Sequence, residues 1–126
     1  MILIVTDNDR DYLADQLAHG LVALCGGQNV MDFPCKPSLH WDHEPVFDCD
    51  FNLPTRHMPA GDVAQGLRDR SFDLVVIPTL RGDVRGILLS WQRAGLLEEN
   101  LDRIVCIDGE DHSMNTLPLF RDCIGG

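Results

Sequence analysis

Phe72-Asp-Leu-Val-Val-Ile-Pro-Thr-Leu-Arg-Gly-Asp83 runs from a polar helical segment through an unbroken apolar stretch, Leu74 to Ile77, into a turn. A strand whose apolar residues do not alternate with polar ones is covered on both faces, as the central strand of a parallel sheet is. Pro78 ends the run. The turn carrying Arg81, Gly82 and Asp83 then leads into a new helical pattern. In parallel sheets, ligands bind in the turns beyond the carboxyl ends of the strands.

The same alternation of element types extends outward in both directions. Met1 to Thr6 is a first apolar strand, and Asp7-Asn8-Asp9 after it suit a turn and a helix N-cap. A helix follows from about Arg10 to Leu24. Leu13, Leu17, Leu21 and Leu24 recur at helical spacing, with Ala14 and Ala18 beside them, and Gly26-Gly27 ends the helix. Asn29 to Phe33 reads as a second, weaker strand stopped by Pro34. Asp62 is placed to cap a short helix from Val63 to about Arg70, with Val63 and Leu67 inward. Beyond the central strand, Asp83 is placed to cap a helix from Val84 to about Ala94. Its stripe is Val84, Ile87, Leu88 and Trp91, and Gly95 closes it. Leu101 to Asp108 makes a fourth strand.

This order predicts an α/β fold: an open, three-layer parallel sheet of the Rossmann-like or flavodoxin-like kind, in spatial order 2-1-3-4. Residues 1–126 form one domain. Four strands and an end on Ile124-Gly-Gly126 suggest the first domain of a longer chain; the alternative is a small complete domain that forms a homodimer through a sheet edge. One long loop, 35–59, has no persistent period. It holds four prolines, Pro37, Pro45, Pro54 and Pro59, with Trp41, Phe47 and Phe51, and a short strand could lie within Val46–Phe51.

Composition narrows the function. Hydrophobic residues make up 44% and charged residues 24% of the chain, as in ordinary globular domains. The formal net charge of -10 argues against nucleic acid or an anionic membrane surface as partner. The apolar start Ile2–Val5 has neither the basic flank nor the cleavage site of an export signal, so a cytoplasmic location is expected. Five cysteines at irregular spacing are then expected as reduced thiols.

The predicted topology gathers Asp7, Asn8 and Asp9 from the first turn with Thr79, Arg81, Gly82 and Asp83 from the third. The fourth adds Asp108, Gly109, Glu110, Asp111 and His112. The plain reading of Asp7, Asp9 and Asp83 is helix capping, and Arg81 can simply pair with these acids. Glu110-Asp111-His112 is denser in chemistry than a turn requires. Carboxylates there could hold a divalent cation, which favours oxygen ligands. Alternatively, carboxylates with Arg81 and His112 could hydrogen-bond sugar or ribose hydroxyls, with His112 as catalytic base. No G-x-G-x-x-G follows the first strand, and the single lysine, Lys36, lies in no Walker A context.

The long loop offers Cys35, His40, His43 and Cys49 as weak metal candidates, zinc-type ligands without a standard zinc spacing. The acidic first turn also resembles that of response-regulator receivers. Pro78 and Thr79, however, stand where a receiver has its phosphoacceptor aspartate, and the later-strand lysine is missing.

Ile-Leu-Ile-Val-Thr-Asp7, Phe-Asp-Leu-Val-Val-Ile-Pro-Thr79 and Ile-Val-Cys-Ile-Asp-Gly-Glu-Asp-His112, with Pro-Leu-Phe-Arg121 further on, resemble the first half of bacterial GT-B glycosyltransferase-like proteins of the spore-coat-maturation type. The resemblance implies an N-terminal, acceptor-side Rossmann-like half, catalytically incomplete alone, whose partner is a small-molecule or glycan acceptor or a downstream donor-binding domain. Asp7, Arg81 and Asp108 to His112 would then line the acceptor side of a cleft. The reading from a different class is a non-enzymatic, receiver-like or protein-interaction domain.

Overall fold

The computed structural model describes residues 1–7, 12–36, 39–40, 58–80 and 82–107. Its elements, in chain order, are β1 (Ile2–Val5), α1 (Tyr12–Cys25), β2 (Val30–Phe33), α2 (Ala60–Arg68), β3 (Leu74–Ile77), α3 (Asp83–Arg93), α4 (Leu96–Glu99) and β4 (Ile104–Cys106). The four strands form one sheet in the order β2-β1-β3-β4, and every pairing is parallel. Ile4 sits opposite Asp32 on one side and Val76 on the other.

Strand alternation divides the core in two. Leu3, Val5, Met31, Val75 and Ile77 point to one face, where Val63 and Leu67 of α2, Val84, Leu88 and Trp91 of α3, and Leu96 and Leu97 of α4 cover them. Ile4, Val30 and Val76 point to the other face, with Ala18 of α1 and Leu39. Both stripes expected of α2 and α3 are therefore buried as their spacing requires.

The stripe expected of α1 faces the sheet except at its last residue, with Leu21 packed on the core and Leu13 and Leu17 half-buried. Ala14 and Ala18 are 1% and 0% exposed, whereas Leu24 is 85% exposed. Leu24 falls in the last turn of the helix, beyond Leu21 and Val22, which pack against the core. Three further boundaries differ. Helix α2 begins at Ala60 after Pro59, so Asp62 lies inside the first turn and does not cap. Gly95 does turn the chain, with φ 75, but a further single turn, α4, follows it. The fourth strand is only Ile104–Cys106, because Leu101–Arg103 winds into a 3-10 turn. Asn100 explains that winding: its buried amide donates to the carbonyls of Leu67 at 3.0 Å and Leu96 at 2.8 Å, tying α4 to α2. The strand suggested within Val46–Phe51 lies outside the described residues.

Candidate functional site

The β1 and β3 exits lie side by side at the carboxyl edge of the sheet, where the strand order reverses. Three polar residues are buried there: Thr6, Asp7 and Thr79. Burying such groups is costly unless they find partners. Thr6 donates its backbone N–H to Phe33 O at 2.9 Å and its hydroxyl to Pro34 O at 2.6 Å. The β1 exit is thereby fastened to the β2 exit.

Gly82 precedes α3 with φ 54 and ψ -131, a conformation that essentially only glycine adopts. A Cβ added there would stand 3.2 Å from Asp7 Oδ2. The Asp7 carboxylate therefore lies close to the Gly82 position, near the N-terminal end of α3, where the helix field is positive. This corrects the expected cap: the cap position falls on Gly82, and Asp83 is the first residue of the helix. The backbone reverses at residue 82, one step earlier than a side-chain cap at Asp83 would require.

Of the expected site residues, Asp7, Thr79, Gly82 and Asp83 are described, and Asp7 and Gly82 are brought close together. Asn8, Asp9, Arg81, Asp108, Glu110, Asp111 and His112 lie outside the described residues.

A second constellation sits at the end of β2. Asp32 is on the α1 side of the sheet and buried, although β2 is an edge strand. Its Oδ1 and Oδ2 stand 3.0 and 2.9 Å from His40 Nε2, and Oδ2 accepts the Lys36 backbone N–H at 2.6 Å. The Lys36 ammonium turns the other way, to Asp15 Oδ1 of α1 at 3.0 Å, with both side chains buried. Leu39 is fully buried, and its N–H donates to Lys36 O at 3.0 Å. Cys35 is half-buried beside this group. One ligand atom each from Asp32, Cys35 and His40 lie within 4.8 Å of one another.

Of the metal candidates in the loop, Cys35 and His40 thus come together, while His43 and Cys49 lie outside the described residues. Sequence reading missed Asp32. Its signal was a carboxylate interrupting the apolar strand Val30-Met-Asp-Phe33, three residues before a cysteine. Cys25, Cys35 and Cys106 are not in disulfides. No described helix is long and apolar enough to cross a membrane.

Comparison with known proteins finds no matching family model, curated protein or solved structure.

Proposed function

We propose that this chain is a Rossmann-like ligand-binding domain of glycosyltransferase-like type, which takes a hydroxyl-rich acceptor, a small molecule or a glycan, in the crevice between β1 and β3. The observation that carries this reading is the closeness of the Asp7 carboxylate to Gly82 across the two strand exits, where an added Cβ would stand 3.2 Å from Asp7 Oδ2. Ligands of open α/β sheets bind at such a reversal of strand order. A buried carboxylate at that crevice can accept hydrogen bonds from sugar hydroxyls. Thr79, buried at the neighbouring exit, offers a second hydroxyl-binding group. In this reading Asp108, Glu110 and Asp111 complete the rim, a divalent cation is held among the carboxylates, and His112 serves as the base. The acceptor half alone has no transferase activity.

Ligand-observed NMR of the full chain with a panel of oligosaccharides and nucleotide sugars tests the proposal. Oligosaccharides should give saturation transfer that Asp7→Asn weakens by about tenfold or more, since one charge-assisted hydrogen bond is worth about 1.5–3 kcal/mol. Tighter binding of nucleotide sugars than of oligosaccharides would assign the chain to the donor side. The absence of any saccharide binding would favour the interaction-domain reading.

A further inference from the structure

The group at the end of β2 has the donors and the placement of a metal centre. We propose that Asp32, Cys35 and His40 bind a divalent transition-metal ion of the zinc type, as its ligands among the described residues. The reading does not depend on the acceptor crevice between β1 and β3.

The distances allow it. Zinc bonds of about 2.0–2.3 Å place neighbouring ligand atoms roughly 3.3–3.8 Å apart in a tetrahedral site. The three atoms lie within 4.8 Å of one another, and the His40–Asp32 separations are 2.9 and 3.0 Å. Side-chain ends need move by only about 1 Å to reach tetrahedral geometry.

The donor set selects the class of ion. One thiol, one imidazole and one carboxylate are a mixed, borderline-soft group, whereas calcium and magnesium favour oxygen ligands throughout. With Cys35 as thiolate and His40 neutral, the ligands carry two negative charges, which a divalent ion cancels. Cancellation matters because Asp32 and His40 are 6% and 3% exposed, and uncompensated charge is expensive there.

The surroundings hold the ligands in place. The Lys36 N–H on Asp32 Oδ2 is a backbone donor that orients the carboxylate, and an ion bound at Oδ1 would take the place of the contact that oxygen makes with His40 Nε2. The residue before His40, Leu39, is fully buried. Cys35 is half-buried, the most exposed of the three ligands. In sequence the set reads D-x2-C-x4-H, from Asp32 through Cys35 to His40.

The test is cobalt and zinc titration of the tag-free full chain after chelator treatment. Cobalt should produce a thiolate-to-metal charge-transfer band and tetrahedral d–d bands, saturating at one ion per chain. Zinc should displace it. Cys35→Ser should lose the charge-transfer band and weaken zinc binding by at least about tenfold. Alkylation of the unmutated chain gives a second readout that needs no variant to fold: zinc should shield Cys35, while the exposed Cys25 reacts regardless. A wild-type chain without the cobalt bands, an unchanged band in Cys35→Ser, or equal alkylation of Cys35 with and without zinc would overturn the proposal. Asp32 and His40 would then be a buried hydrogen-bonded pair closing the loop.

Discussion

The Lys36 ammonium lies 3.0 Å from Asp15 Oδ1, and the two side chains, 3% and 6% exposed, join α1 to the segment that follows β2. Lys36 is the chain's single lysine. Removing one partner of a buried pair leaves the other charge in a poorly solvated place. Lys36→Met should therefore cost about 3–5 kcal/mol in urea unfolding. Adding Asp15→Leu to that variant should recover most of the loss, because the apolar pair then fills the same volume without charge. A double variant no more stable than Lys36→Met alone would show that the ion pair does not couple the two positions.

Two helical glycines should respond to alanine in opposite directions. Gly86 is exposed on α3 and an added Cβ meets nothing within 4 Å, so Gly86→Ala should stabilise by about 0.5–1 kcal/mol through helix propensity. Gly66 lies within α2, where a Cβ would come 2.8 Å from the Phe72 ring. Phe72 is buried in the core under α2 and α3 and has little room to retreat. Gly66→Ala should cost about 1–3 kcal/mol despite the gain in propensity. Thermal unfolding of the two variants side by side checks the sign of each.

Acid should remove one surface tie selectively. Arg70 Nη2 donates to Asp102 Oδ2 at 2.6 Å, and that bond holds the Asp102 carboxyl below its ordinary 3.8, with the positive charges of Arg70 and Arg103 adding to it. A carboxylate depressed in the folded state contributes stability that is present above its unfolded pKa and is lost as pH falls through the folded one. Wild type should therefore melt above Asp102→Asn at neutral pH. The gap should begin to close below about pH 4 and vanish in stronger acid. Because Asp102 is fully exposed, the gap should be small and should shrink with added salt. Melting curves from pH 7 to pH 2 at two salt concentrations measure both effects.

The parallel sheet and its order were legible because the evidence for them is local. Leu74-Val-Val-Ile77 and Ile2-Leu-Ile-Val5 are apolar without alternation, and helical stripes separate the strands. Val63 and Leu67, and Val84, Leu88 and Trp91, are buried as their spacing implies. Leu24 was misleading because it continues the helical spacing of Leu13, Leu17 and Leu21 but falls in the last turn of the helix. The helix seats Ala14 and Ala18, and it buries Asp15 because Lys36 arrives from elsewhere in the chain. A single turn such as α4 is too short to show a period, so Leu96 and Leu97 looked like connection before a strand. The candidate site was legible in part. Asp7 does lie close to Gly82, as the strand order requires, while Asp32 was hidden because an acid inside a strand reads as an interruption rather than a ligand.

By itself the sequence determined the element types, the two-sided burial of the central strands and the edge of the sheet toward which its turns gather. These follow from side-chain periodicity, which depends only on near neighbours along the chain. Tertiary structure alone decided that Asp32 would face His40, that Lys36 would reach Asp15 and that the Asp7 carboxylate would lie close to Gly82. Those meetings depend on how α1 sits on the sheet and where Leu39 is buried. Periodicity states which face a residue takes and is silent on which distant residue shares it.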